Sequence, residues 1–296
     1  MKVKVWGCRG SISCPGPKTV RYGGNTSCYE LRADDGSLLI MDAGTGIREL
    51  GMALARQMPL KALMVFSHTH YDHVIGYPFF VPFFVPGNRV DLYGPVHYER
   101  SFKSVMTEQL DYSFFPVRMD ELRADLHFHD LREESFESPP FKVQTLYANH
   151  PITCLAYRVE ADGKIFIFTG DTEPYINHLD GDANADEDEV EEVREVIAEQ
   201  TQRWLAFLKG ADLCIHDAQY TPEEYPRFKG WGHTAMDVAI DNCARAGVKS
   251  LLLTHHNPTR SDDDLDALTP RWREYASAKG YSLAVAFAEE GREYAV

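Results

Sequence analysis

The heptad Ser67-His68-Thr69-His70-Tyr71-Asp72-His73 directly follows an apolar run at residues 62–66. A short apolar run that ends in polar residues predicts a buried β-strand with those residues at its C-terminal end. His68 and His70 lie two residues apart, so on extended backbone their rings project from one face. Three imidazoles and a carboxylate within six residues suit a divalent ion such as zinc. The heptad therefore predicts a metal site.

The pattern from His68 to His73 resembles the signature of the metallo-β-lactamase superfamily, whose sites need further ligands downstream. Three later apolar runs each end in a candidate. These are His150 after residues 141–147, Asp171 after residues 164–168 and His255 after residues 251–253. In each case a predicted buried strand ends in one polar residue, which is the same construction as at His68.

The resemblance implies two divalent metal ions and fills all seven ligand positions. The first ion would be bound by His68, His70 and His150, and the second by Asp72, His73 and His255, with Asp171 bridging the two. Zinc is the expected metal, although manganese and iron also accept histidine and carboxylate ligands. The resemblance covers most of the chain and implies one domain over residues 1–296. Its expected fold is an αβ/βα sandwich of two mixed β-sheets with helices on the outer faces.

Strands and helices alternate along the chain, which supports an α/β fold class. The predicted strands lie at residues 2–6, 29–32, 37–41, 62–66, 90–93, 211–216 and, last in the chain, 282–287; the predicted helices lie at residues 47–58, 99–111, 187–208, 234–246 and 264–279. His127 and His129 are interpreted as strand residues, because no third ligand follows at metal-ligand spacing. Asp42 is interpreted either as a carboxylate behind the metal ligands or as a helix N-cap.

The net charge of −15 indicates which kinds of binding partner to expect. Nucleic-acid binding depends on clustered Lys and Arg, so a nucleic-acid partner is not expected. The acidic run at residues 180–195 is interpreted as a solvated helix start rather than a calcium site or a partner-binding patch. The chain shows no signal peptide and no apolar stretch long enough to span a bilayer, so we expect a soluble, cytoplasmic protein without membrane contact. The oligomeric state is open, and a homodimer is compatible with the sequence.

The six cysteines are scattered without a Cys-x-x-Cys pair. In a cytoplasmic protein of this size we expect free, buried thiols rather than disulfides. Cys8 and Cys14 flank a polar loop and are the pair most open to another interpretation.

A second constellation combines Asp217, at the end of a predicted strand, with His233, at the start of a predicted helix. An alkoxide is a poor leaving group, so a phosphodiesterase gains from a general acid that protonates it. A neighbouring carboxylate fixes the tautomer of a histidine and favours its protonated form. The pair resembles the Glu and His of the tRNA 3′-processing endonuclease branch, with Asp in place of Glu. The resemblance implies His233 as general acid and Asp217 as its partner, and we count Asp72 with them as catalytic. The alternative is a structural pair, a helix-start histidine and a cap.

The N-terminal motifs around Arg9 and Asn25 resemble those of small cyclic nucleotide phosphodiesterase-like members of the same branch. The tRNA-processing members carry a basic, Gly-rich arm, and no such insertion is visible in this sequence. Arg9 and Asn25 are therefore the candidate substrate-binding residues, with Arg9 as a surface pairing residue the alternative. The sequence predicts a dinuclear metal phosphodiesterase for a small substrate, with a cyclic nucleotide first.

Three other functions stay open. A tRNA 3′-endonuclease would use the same site on RNA. A lactone or thioester hydrolase would not need His233. A non-enzymatic metal scaffold would not need all seven ligands. An oxygen-reducing di-iron member is not counted among the three, because that branch typically has Glu where this chain has His70.

Overall fold

The computed structural model describes residues 1–180 and 185–296, which form two β-sheets of seven strands each. The strands are β1 (Lys2–Gly7), β2 (Cys28–Arg32), β3 (Leu38–Met41), β4 (Lys61–Val65), β5 (Arg89–Pro95), β6 (Asp125–Leu131), β7 (Ser135–Ser138), β8 (Phe141–Ala148), β9 (Cys154–Ala161), β10 (Lys164–Phe168), β11 (Leu213–Asp217), β12 (Ser250–Thr254), β13 (Ala284–Phe287) and β14 (Glu293–Ala295). The first sheet has the order β14-β1-β2-β3-β4-β5-β6 and the second β13-β12-β11-β10-β9-β8-β7.

Both sheets are mixed, as expected. In the first sheet β3, β4, β5 and β6 run parallel, while β14, β1 and β2 are antiparallel to their neighbours. In the second sheet β10 to β13 run parallel, and β7 to β10 pair antiparallel. The helices are α1 (Ile47–Leu54), α2 (Tyr71–Val74), α3 (Phe102–Glu108), α4 (Glu187–Leu208), α5 (Met236–Arg245) and α6 (Asp262–Ala278).

The side chains of β4 show how the layers are built. Leu63 and Val65 point into a core that lies between the two sheets, whereas Met64 and Phe66 pack with α1 on the outer face. A strand covered on both faces is apolar throughout, which explains the unbroken run before the heptad. Each such side chain contributes about 1.5–3 kcal/mol on burial.

The second sheet is covered in the same way on its outer face. There α4, α5 and α6 pack against it through Trp204, Met236 and Trp272, together with Leu251 and Leu253 of β12. The order of layers is therefore helix, sheet, sheet, helix. The expected αβ/βα sandwich is confirmed.

Several predicted elements differ in length from those observed. The helix at 187–208 has the predicted bounds, but the helix at 47–58 ends at Leu54 and continues as a 3₁₀ turn. The prediction that the strand at 282–287 is the last one is wrong, since β14 follows and pairs with β1. With three partly exposed residues, β14 has no apolar periodicity that a sequence pattern could detect.

Smaller predictions are confirmed. His127 and His129 lie on β6, and all six cysteines are free, five of them buried as expected and Cys14 half-buried. In the acidic run, Asp186 caps α4 and acidic residues fill its first turn, as a solvated helix start requires. The part of that prediction at residues 181–184 lies outside the described residues. In the described parts of the chain, every helix is too short or too polar to cross a bilayer.

Candidate metal centre

The strand-to-helix turn after β4 delivers four of the candidate ligands. His68 follows the buried end of β4, and His70 takes an extended backbone (φ −62°, ψ 151°) as the residue before α2. Asp72 and His73 lie in the single turn of α2 and are both buried. A tight turn from strand to helix therefore gathers residues 68–73 at one end of the first sheet.

The other candidates arrive from the second sheet. His150 and Asp171 lie beyond the ends of β8 and β10, and Asp217 and His255 lie at or after the ends of β11 and β12. Parallel strands present their C-terminal ends at one edge, so β10, β11 and β12 bring their residues together. The site thus lies where the C-terminal edges of the two sheets face each other.

His68, His70 and His150 form the first group of candidate ligands. One ligand atom from each lies within 4.8 Å of the others. Nδ1 of His70 is 3.1 Å from Nε2 of His150. Burial lowers the pKa of His150 to about 4, so its ring is neutral at neutral pH and keeps a lone pair for a metal.

Asp72, His73, Asp171 and His255 form the second group, and all four are buried. Oδ2 of Asp171 lies 3.2 Å from Nε2 of both His73 and His255. It also lies 3.6 Å from Nε2 of His68 in the first group. Asp171 therefore stands between the two groups, at the position that a bridging ligand would occupy.

The donor set fits divalent cations. Nε2 of both His68 and His73 is buried, and among the residues that the structure describes it has no hydrogen-bond partner. Leaving such an atom unpaired costs about 1–3 kcal/mol, and a bound cation would remove that cost. Burial by itself lowers the pKa of His255, but the nearby carboxylates of Asp171 and Asp72 outweigh it and raise the pKa to about 10. The carboxylates thus attract positive charge, which a dication would supply in place of protons.

Residues behind the ligands hold the rings in place. Oδ2 of Asp42 accepts a hydrogen bond from Nδ1 of His73 at 2.7 Å, and Oδ1 accepts one from the Ser67 amide at 2.7 Å. Asp42 does not cap α1, whose preceding residue is Gly46. Of the two interpretations of Asp42, the structure therefore favours the carboxylate behind the metal ligands.

Two further candidate ligands, His255 and His150, have partners of the same kind. Nδ1 of His255 lies 3.0 Å from Oε1 of Gln219, and Nδ1 of His150 lies 3.0 Å from the carbonyl oxygen of Gly232. Each contact occupies Nδ1 and leaves Nε2 to face the centre.

The predicted pair of His233 and Asp217 forms beside the second group. Nδ1 of His233 lies 3.2 Å from Oδ2 of Asp217, which also accepts the amides of Thr172 and Thr234 at 3.1 and 3.2 Å. The His233 ring stacks on that of His255, with centroids 4.5 Å apart. The shorter Asp therefore reaches His233 and places its ring against a candidate ligand.

Arg9 and Asn25 do not reach the centre. The Arg9 side chain is fully buried, and its guanidinium donates to the carbonyl oxygens of Gly23, Asn257 and Arg260. The Asn25 amide donates to Glu290 at 2.7 Å. Both side chains join loops to one another, and the structure does not support them as substrate-binding residues. The alternative of Arg9 as a surface residue also fails, because the side chain has no solvent contact.

Sequence reasoning missed two residues that support the site and one exposed residue on the loop before His233. Gln219 contacts His255, Glu173 follows Asp171 by two residues, and Trp231 is 62% exposed on the loop before His233. Of the three, only Trp231 had a sequence signal, because an aromatic residue between two glycines indicates an exposed side chain on a loop. Nothing in the pattern around Glu173 distinguishes it from a surface carboxylate.

Comparison with known proteins shows the family of the chain. The family model described as "Metallo-beta-lactamase superfamily" matches residues 21–212, and the chain belongs to that superfamily. A ribonuclease Z of Lactococcus lactis subsp. lactis is 28% identical over 67% of this chain and 71% of the relative. A ribonuclease Z of Haloarcula marismortui is 24% identical, over 99% of this chain and 96% of the relative.

A solved structure supports the fold. The metallo-beta-lactamase fold protein YhfI of Bacillus subtilis matches with a TM-score of 0.68 and 21% identity, covering 99% of each chain. The chain is a hydrolase of the superfamily, and its His and Asp groups fit divalent metal binding.

Proposed function

We propose that this protein is a dinuclear metal-dependent phosphodiesterase that acts on a small phosphodiester, with a cyclic nucleotide as the first candidate. The observation that carries the proposal is the His233–Asp217 pair beside the second group of ligands. A thioester hydrolase gains little from such a pair, because a thiolate departs without strong general-acid help.

Two metal ions are proposed from the two groups of ligands. His68, His70 and His150 would hold one ion, while Asp72, His73 and His255 would hold the other, and Asp171 would bridge them. Histidine with carboxylate suits zinc first, with manganese and iron as alternatives. Bound divalent ions would supply an activated water and Lewis acidity toward the phosphoryl oxygens.

His233 would donate the proton that the leaving oxygen needs. Its Nδ1 is held by Asp217, so Nε2 is the nitrogen available for proton transfer. Asp217 is fully buried and also accepts hydrogen bonds from two backbone amides, which fix the position of its carboxylate. The pair is thus organised before substrate arrives, and little reorganisation is needed in the transition state.

Two features support a small nucleotide as substrate. The charge of −15 opposes a long polyanion, whose binding depends on clustered Lys and Arg. Trp231 is 62% exposed on the loop that leads to His233. Its ring packs edge-on against that of Phe228, with the ring centroids 5.3 Å apart. An exposed, supported indole offers a surface on which a base can stack.

A second candidate is processing of tRNA 3′ ends. It is favoured by the relatives named ribonuclease Z, one of which matches nearly the whole chain. The catalytic residues would have the same roles, and the substrate alone would differ. The metals and His233 therefore do not separate the two candidates, so the test must compare substrates.

The test is hydrolysis by zinc-loaded protein of 3′,5′-cyclic AMP, bis(p-nitrophenyl) phosphate and a precursor tRNA, side by side. We expect turnover of the cyclic nucleotide and the aryl diester. Cleavage of the precursor tRNA with no turnover of the cyclic nucleotide would replace the first candidate with the second. No turnover of any of the three, with two metals bound, would contradict the phosphodiesterase proposal itself.

A further inference from the structure

We propose that Glu173 is a positioning residue that holds the loop at residues 230–233 against the metal centre. Through that loop it would set the ring of His150 and the placement of His233. The proposal rests in part on the proposed function, since it assumes that these two histidines act at one centre.

The carboxylate of Glu173 is buried, with 5% of the residue exposed, and it binds the loop at two points. Oε1 accepts a hydrogen bond from the Gly230 amide at 2.8 Å and another from the Tyr225 hydroxyl at 2.7 Å. Oε2 accepts a hydrogen bond from the Gly232 amide at 2.9 Å. Among the described residues, no Lys, Arg or His lies within ion-pair distance of this carboxylate. Its charge is therefore stabilised by these donors, and such charge-assisted hydrogen bonds are the stronger kind.

The backbone of Glu173 is tied to the ligand-bearing segments. Its amide donates to the carbonyl oxygen of Asn149 at 2.8 Å, and the Asn149 side chain donates back to the Glu173 carbonyl oxygen at 3.1 Å. Asn149 directly precedes His150, and Glu173 follows Asp171 by two residues. The carboxylate thus reaches the loop from a rigid base that already carries two of the candidate ligands.

The loop transmits this position to His150. The carbonyl oxygen of Gly232 accepts the hydrogen bond from Nδ1 of His150 at 3.0 Å. Gly232 has a φ of +87°, and a side chain there would overlap the His150 ring, so backbone and ring are in direct contact. A shift of Gly232 would therefore change both the orientation and the tautomer of His150.

The same loop carries His233. The Glu173 contact at Gly232 lies one residue before His233, and the amide of Thr234 on the other side binds Asp217. His233 is therefore held between two buried carboxylates. Loss of the first would free the chain on one side of His233 and leave only the Asp217 contacts.

The test compares E173Q with the control Y225F in the zinc-loaded enzyme. In E173Q the amide group brings N–H donors toward the amide of Gly230 or Gly232, so one loop contact becomes repulsive. Y225F removes a donor to the same oxygen but keeps both contacts to the loop. We expect E173Q to weaken zinc binding at one of two sites by about 10- to 100-fold in a chelator competition, whereas Y225F stays within a few-fold of wild type.

A second readout is the tautomer of His150, followed by ¹⁵N NMR of the metal-free protein. We expect the Nδ1–H form in wild type and Y225F, and a mixture of tautomers in E173Q. Both readouts are independent of substrate, so a failed phosphodiesterase assay would leave them intact. Wild-type zinc affinity and wild-type tautomer in folded E173Q would overturn the proposal. If E173Q does not fold, E173D, which keeps the charge but shortens the reach, is measured in the same way.

Discussion

At the scale of single residues, metal binding at the centre would depend on which nitrogen of each candidate histidine faces it. Asp42 and Gln219 occupy Nδ1 of His73 and His255, and so direct Nε2 inward. Such outer partners orient the ligand and raise its basicity. Their loss should therefore reduce metal affinity without removing a ligand.

The first prediction concerns Asp42. Replacing it with Ala removes the acceptor for His73 and leaves the Ser67 amide unpaired, so we expect zinc affinity to fall about 10- to 100-fold. Competition with a chromogenic chelator measures the change. The control is D35A, since Asp35 is exposed and caps only its own turn at Ser37. Equal affinities in D42A and D35A would contradict a role of Asp42 behind the ligands.

The second prediction concerns His233. H233A should lower kcat on an alkyl phosphodiester by about 100- to 10,000-fold, the usual contribution of a general acid. The loss on bis(p-nitrophenyl) phosphate should be much smaller, because p-nitrophenolate departs without protonation. Zinc content, measured by atomic emission, should stay at the wild-type value. Equal losses on both substrates would show that His233 is not the general acid.

At the scale of elements, the N-terminal loop after β1 packs against the end of β12. The amide of Gly10 donates to the carbonyl oxygen of His256 at 3.0 Å, and the amide of Ser11 donates to Oδ2 of Asp72 at 2.7 Å. A side chain at position 10 would overlap the ring of His255. The loop therefore contributes to the centre through close approach, although none of its side chains is a candidate ligand.

The third prediction follows from that close approach. G10A should displace His255, weaken zinc binding at the second group and lower turnover by at least about tenfold, as displaced catalytic groups commonly do. G16A is the matched control, because position 16 lies in the same loop with open space around it. Isothermal titration with zinc measures both variants. Similar zinc binding by G10A and G16A would contradict the steric argument.

At the scale of the whole molecule, the candidate ligands come from both sheets. Residues 68–73 follow β4 of the first sheet, whereas His150, Asp171 and His255 follow strands of the second. Bound ions would therefore cross-link the sheets at one edge. They would also neutralise a cluster of buried groups that is expensive in their absence.

The fourth prediction is a large effect of metal on stability. A ligand that binds only the folded state at 1,000 times its Kd adds about 4 kcal/mol to the free energy of unfolding. We expect EDTA to lower Tm and zinc to restore it, measured by calorimetry. The Tm of H127A, a substitution on β6, should change with EDTA and zinc as the wild-type Tm does, while the Tm of H150A should change less. A Tm unaffected by EDTA in protein that held zinc would contradict the cross-link.

The sequence allowed the alternation of strands and helices and most of the candidate centre to be predicted, because these signals were local, whereas the layered sandwich was implied by the resemblance to the superfamily. The heptad is a contiguous pattern, and each later ligand ends an apolar run whose period indicates a strand. Arg9 and Asn25 were misplaced because their environment is set by loops distant in sequence, at residues 257–260 and 290. Glu173 gave no signal for the same reason, since the hydrogen-bond donors to its carboxylate lie more than 50 residues away.

By itself, the sequence determined the α/β class and the positions of the candidate ligands after predicted buried strands, while the resemblance to the superfamily implied the pairing of His233 with Asp217. These follow from periodicity and from a superfamily pattern of short range. Only the tertiary structure decided that Asp42 lies behind His73, that Arg9 is buried, and that Glu173 binds the loop before His233. A buried polar group must find its partners wherever packing brings them, and packing joins residues without regard to their separation along the chain.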